Sequence, residues 1–136
     1  MEIGVPPKSV TRLLRADGLA VTAASLVAYQ MLGGNWWVFA LLILAPDLSM
    51  VGFMAGSRTG ATIYNLVHSY IWPIALGAAG YFAGMPWLLP LALIWITHIG
   101  VDRAIGYGLK YPSSFKTTHL GTLGRASKTD AHADAR

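Results

Sequence analysis

The chain has no cysteine among its 136 residues. It can therefore form no disulfide, no thiolate zinc site and no cysteine nucleophile. It is also poor in charge. Charged residues make up 12% of the sequence, about half of the roughly 25% usual in soluble domains. Between Trp36 and Ser57 the only charge is Asp47, and between Thr59 and Val101 there is none. A chain this short has too much surface for its volume to hide such apolar runs from water. Lipid can solvate them instead.

The net charge is +4, which taken alone could suggest a nucleic-acid partner. The distribution argues against one. The basic residues sit at the ends of apolar segments, where they anchor and orient a membrane protein. A cleavable signal is not expected at the N-terminus. Pro6-Pro7, Lys8, Arg12 and Arg15 precede a full-length apolar segment, with no small-residue cleavage site after a short one.

A bilayer core needs about 20 apolar residues per helix, and four stretches meet that length. They run from Leu13 to Leu32, Trp36 to Ala55, Gly60 to Phe82 and Trp87 to Leu109. Gly33-Gly34-Asn35, Gly56-Ser57-Arg58 and Ala83–Pro86 separate them, and Tyr111-Pro112 ends the last. The expectation is an all-α polytopic membrane protein with four transmembrane helices in an up-down-up-down bundle. One domain covers residues 1–124, and the polar stretch 125–136 is expected to be a disordered tail. No interface signal fixes an oligomeric state.

Charge sets the expected orientation. Lys8, Arg12 and Arg15, then Arg58, then Lys110, Lys116, Arg125 and Lys128 fall on one side; the other two loops carry no charge. The positive-inside rule puts both termini and the middle loop in the cytoplasm, as for an inner (plasma) membrane protein.

Ionisable residues within spans are costly and tend to face a cavity or one another. Here they are Asp47, His68, His98, Asp102 and Arg103. Counting the helical rise from the cytoplasmic ends puts Asp47 about 13 Å deep, His68 about 15 Å, His98 about 16 Å and Asp102 about 10 Å. Three different helices thus bring two carboxylates and two imidazoles to about one level in the inner half of the bilayer. His98 and Asp102 are four residues apart and share a helix face. Pro46 removes a backbone hydrogen bond beside Asp47, freeing a carbonyl near the same level. Asn65 and Ser49 are candidates to orient substrate or ligands. Arg103 points about 100° away from Asp102; it is expected to snorkel to the headgroups, the alternative being a pair with a carboxylate of a neighbouring helix. After the last span, a Gly- and aromatic-rich segment could fold back and bring His119 to the cluster, or anchor on anionic lipid through Lys110 and Lys116.

These residues carry a resemblance. Leu-Ala-Pro-Asp-Leu-Ser-Met (44–50), Tyr-Asn-Leu-Val-His-Ser-Tyr (64–70), His-Ile-Gly-Val-Asp-Arg-Ala-Ile-Gly-Tyr-Gly-Leu-Lys-Tyr-Pro (98–112) and Phe-Lys-x-Thr-His-Leu-Gly (115–121) resemble small bacterial inner-membrane proteins catalogued as a domain of unknown function. The resemblance covers about Leu13 to Gly121 and implies a four-helix membrane protein with no assigned activity. A weaker similarity, in the order Pro-Asp, helix His, His-x-x-x-Asp, is to membrane-bound metal-dependent hydrolases. Those carry a second acid and an extra histidine where this chain has Ser49 and, approximately, Asn65.

Three functional readings stay open on the sequence. In the first, Asp47, His68, His98 and Asp102 bind zinc or another divalent metal that activates water against a lipid or membrane-associated substrate. In the second, the cluster handles protons or ions, or the histidines hold a haem. In the third, the polar groups only tie the helices together. Whether the protein is an enzyme is not decided at this level.

Overall fold

Proline decides where the helices break. In the computed structural model, residues 6–110, 117–118 and 121–122 are described. Helix α1 (Lys8–Met31) starts directly after Pro7, and Gly33 supplies the positive φ (69°) that turns the chain. Helix α2 (Trp36–Leu42) is capped by Asn35, whose side chain accepts from the amides of Trp37 (2.9 Å) and Val38 (3.4 Å).

The second apolar stretch does not continue as an α-helix. Pro46 has no N–H to offer the carbonyls of Leu42 and Ile43. The α-helix stops at Leu42, and residues Ala45–Ala55 form a 3-10 helix. Eleven residues is long for a form that seldom exceeds about 3–4. The third stretch is broken in the same way. Helix α3 (Ser57–Val67) and helix α4 (Ile71–Phe82) are separated at residues 68–70. The break lies one turn ahead of Pro73, whose ring would clash with the Ser69 carbonyl in a continuous helix. Helix α5 (Leu88–Ile105) keeps Pro90 in its first turn, where amides have no intrahelical partner, and ends on left-handed Gly106 (φ 98°).

The architecture is all-α, in four helical rods: α1, α2 with the 3-10 helix, α3 with α4, and α5. A two-residue antiparallel pair, Thr117–Thr118 with Gly121–Thr122, lies beyond them. Two rods are long and apolar enough to cross a membrane, Trp36–Ala55 and Leu88–Ile105. α1 is diluted by Lys8, Arg12, Arg15 and Asp17, and the third rod is two short helices rather than one.

Small residues set how closely the rods pack. A Cβ on Gly18 would sit 2.5 Å from Arg103 Cβ and 2.7 Å from the Ala104 amide, so α1 and α5 meet backbone to backbone. The hydroxyls of Ser25 and Thr97 join the same seam at 2.7 Å. Gly77 and Gly80 let α4 lie against α5. The result holds α5, the most buried rod, against both α1 and α4. By contrast, the second rod is 6% buried, and Trp37, Leu41 and Met54 are almost fully exposed.

Candidate metal centre

The proline breaks deliver the site. With α2 ended at Leu42, the Asp47 amide donates to the Leu44 carbonyl (3.1 Å) in the 3-10 pattern. The Ile43 carbonyl keeps no backbone donor, because its 3-10 partner is Pro46. It accepts instead from His98 Nδ1 at 2.6 Å. At the other break, His68 caps the end of α3, and its Nδ1 donates to the Tyr64 carbonyl at 2.9 Å.

These two bonds fix both tautomers. A carbonyl oxygen can only accept, so each Nδ1 carries its proton, and in the neutral ring each Nε2 then presents a lone pair. The two Nε2 atoms face each other at 3.1 Å. His68 Nε2 also lies 3.5 Å from Asp47 Oδ1 and 3.4 Å from Asp102 Oδ2. His98 Nε2 lies 3.3 Å and 3.4 Å from the same two atoms. All four donor atoms fall within 4.8 Å of one another.

Two facing lone pairs flanked by carboxylates repel unless a cation lies among them. The spacing indicates its size. A regular tetrahedron with bonds of about 2.0–2.1 Å has edges of about 3.3–3.4 Å. The four N–O edges of 3.3–3.5 Å match it and the N–N edge of 3.1 Å is slightly shorter, while the two carboxylate oxygens stand farther apart, within 4.8 Å, so the four atoms outline a distorted tetrahedron. Charge-assisted N–H···O bonds are about 2.7–2.9 Å, well short of those N–O edges. The carbonyl acceptors on both Nδ1 atoms are the usual outer partners of metal-ligating histidines. The donor set, two imidazoles and two carboxylates, suits zinc.

Around this cluster the side chains are tightly placed. The Tyr64 ring stacks on His68 with centroids 3.7 Å apart, and Lys110 Nζ sits 4.8 Å above the same ring. Asn65 brackets the backbone of Lys110. Its amide nitrogen donates to the Lys110 carbonyl (2.7 Å), and its oxygen accepts from the Lys110 amide (2.6 Å). Burial pushes the Lys110 ammonium below its ordinary value, and Asp102 and Asp47 oppose that shift.

His68 is fully buried and His98 nearly so, Asp102 is half-buried, and Asp47 is the most exposed member at 40%. A cavity of about 450 Å³ opens on it. Its floor is polar, with Asp47, His98, Asp102, Tyr64 and Lys110; its walls include Ile43, Leu44, Met50, Val101 and Ile105.

The structure therefore brings together the four residues expected to ligate. Asn65 holds Lys110 and not the ligands. Ser49 Oγ is buried with no hydrogen-bond partner among the described residues. Arg103 does not snorkel, contrary to expectation. It is buried and donates to the carbonyls of His68 (2.9 Å) and Tyr107 (3.0 Å), which the helix break at residue 68 and the turn at Gly106 free from helical bonding. Of the segment after α5, Lys110 returns to Asn65 on α3, and His119, with the expectation that it reaches the cluster, lies outside the described residues. Sequence reading missed Tyr64 and the placement of Lys110. The only signal for either was membership of the same motifs.

Comparison with known proteins adds a family. A family model described as a domain of unknown function (DUF4260) matches residues 11–123. No curated protein matches the chain, and neither does any solved structure. The weaker likeness to membrane-bound hydrolases thus has no counterpart in these comparisons.

Proposed function

The chain belongs to the DUF4260 family of domains of unknown function, and we propose that it is a membrane-embedded metal protein with hydrolytic chemistry at the Asp47–His68–His98–Asp102 cluster. The observation that carries this reading is the pair of Nε2 lone pairs facing at 3.1 Å, with both Nδ1 protons committed to backbone carbonyls. A cation between them, whether a proton or a metal, relieves their repulsion. A proton would account for the short N–N edge but leaves N–O edges of 3.3–3.5 Å that are too long for charged hydrogen bonds. A divalent metal accounts for these five edges, with the two carboxylate oxygens, within 4.8 Å of each other, spread around it. A haem does not fit, because 3.1 Å leaves no slot for a macrocycle between the rings.

Bound there, the metal would supply an activated water. His68, His98, Asp102 and Asp47 would hold the metal, and Asp47, the most exposed of the four, has a second carboxylate oxygen placed to take the proton given up by a water entering from the cavity side. The substrate class is a lipid or another membrane-associated molecule, since the cavity walls are apolar and partly exposed.

The membrane reading goes with this. Two rods have the length and hydropathy of spans. We assign the same role to α1 and to α3 with α4, giving four antiparallel traverses. Both termini and the Arg58 loop then lie in the cytoplasm, where the basic residues concentrate.

Elemental analysis of the detergent-purified chain tests the metal. The expected result is one equivalent of a divalent metal in the wild type, lost in folded His98→Ala and Asp47→Ala. Unchanged metal content in both variants would end the proposal.

A further inference from the structure

We propose that the cavity over the cluster binds the headgroup of a phosphate-bearing lipid, with the phosphate lying between the metal centre and the Lys110 ammonium. The inference rests on the metal reading and goes further by naming the ligand.

Three observations converge on it. The first is shape and wall chemistry. The cavity, about 450 Å³, falls in the range of roughly 300–1,000 Å³ for small-molecule sites. Its wall residues Leu44, Val101 and Ile105 are themselves exposed, so the apolar wall runs out to the surface that faces acyl chains. An occupant with a polar head and an apolar tail matches both ends at once. A free polar solute would leave the walls unmatched.

The second is the placement of Lys110. This residue follows a helix that ended four residues earlier at Gly106. Its backbone is clamped by both ends of the Asn65 amide, and its ammonium is held over the Tyr64 ring. Lys110 is only 3% exposed, so its side chain has given up the rotamer freedom it would keep at a surface. The clamp fixes the backbone and the Tyr64 ring the ammonium, at a cavity that Asp47 and Asp102 also line.

The third is charge. The floor carries two carboxylates against one ammonium, so without a metal it repels anions. A divalent ion offsets the two carboxylates, so they no longer repel an anion that reaches the metal and the Lys110 ammonium. Anion binding should therefore appear only when the metal is present. A phosphate can bridge a metal and an ammonium through separate oxygens, accepting charge-assisted hydrogen bonds from the latter.

The test uses the full chain in detergent micelles, loaded with zinc and assayed for zinc content in the same sample. The probes are dihexanoyl phosphatidic acid, dihexanoylglycerol and inorganic phosphate, followed by titration calorimetry. The expected result is binding of phosphatidic acid at least about tenfold tighter than of either other probe, the worth of about one charge-assisted contact. Stripping the zinc should abolish this preference. Lys110→Met should abolish it too with zinc content unchanged, and Lys110→Arg should restore it. Equal binding of dihexanoylglycerol overturns the anion site. Inorganic phosphate binding as tightly as the lipid overturns the lipid assignment. A preference that survives in Lys110→Met, with zinc present, overturns the role of Lys110 and leaves the metal reading standing. No zinc in the wild type overturns both.

Discussion

Replacing Asn65 by Ala should loosen the strap that follows α5 without emptying the metal centre. The Asn65 side chain makes two hydrogen bonds to one residue, donating to the Lys110 carbonyl at 2.7 Å and accepting from its amide at 2.6 Å. Each such bond contributes about 1 kcal/mol net. Losing both should cost about 2 kcal/mol of local closing free energy, a factor of about 30 in the opening equilibrium. None of the four ligand atoms touches Asn65, so the metal should stay. Hydrogen exchange read at the Lys110 amide is the assay, because exchange there reports local opening. The expected result is about thirtyfold faster exchange in Asn65→Ala. Asn65→Asp keeps the acceptor but loses the donor, so about fivefold faster exchange is expected from the one lost bond. Unaltered exchange at Lys110 in Asn65→Ala would refute the clamp. Loss of metal from a folded variant would refute the separation of clamp from ligands.

Further consequences follow from the breaks and the packing. Pro46→Ala supplies an N–H to compete for the Ile43 carbonyl that now receives His98 Nδ1, so metal affinity measured against a chelator should fall about 10–100-fold; an unchanged affinity would contradict the role of the freed carbonyl. Gly100→Ala would put a Cβ 2.7 Å from Thr22 Oγ1 and 3.0 Å from the Gly18 carbonyl, and overpacking of this kind costs about 1–3 kcal/mol. Gly77→Ala would meet only Ala92 Cβ at 3.4 Å, so thermal denaturation should distinguish the two, with Gly100→Ala clearly lower. Equal midpoints would mean the α1–α5 seam is not close-packed. The absence of native cysteine permits single-cysteine mapping. In intact cells an impermeant thiol reagent should label Leu32→Cys and Met85→Cys but not Ser57→Cys, and labelling of Ser57→Cys would reject the four-span orientation.

Much of the site was legible because depth and helix face can be counted. Steady rises along three apolar stretches put Asp47, His68 and the His98–Asp102 pair at one level, and the structure brings their donor atoms together. The carbonyl that Pro46 frees was foreseen, although its acceptance from His98 was not. The continuous second and third helices were not borne out. Steric exclusion by Pro46 and Pro73 converts one to a 3-10 helix and splits the other at His68. Hydropathy cannot report this, because both forms are equally apolar. Arg103 was misjudged for a related reason. Its burial depends on carbonyls released by the break at His68 and the turn at Gly106, and neither is a property of Arg103's own neighbours in sequence. Tyr64, and the placement of Lys110 beside the cluster instead of at the lipid surface, escaped notice because both come from contacts across the fold.

The most direct test of the metal centre is X-ray absorption at the zinc edge of the zinc-loaded chain. Four nitrogen or oxygen neighbours at about 2.0–2.1 Å, with the outer-shell scattering of two imidazole rings, are expected. A spectrum with no imidazole contribution, or one matching zinc in buffer, would contradict ligation by His68 and His98.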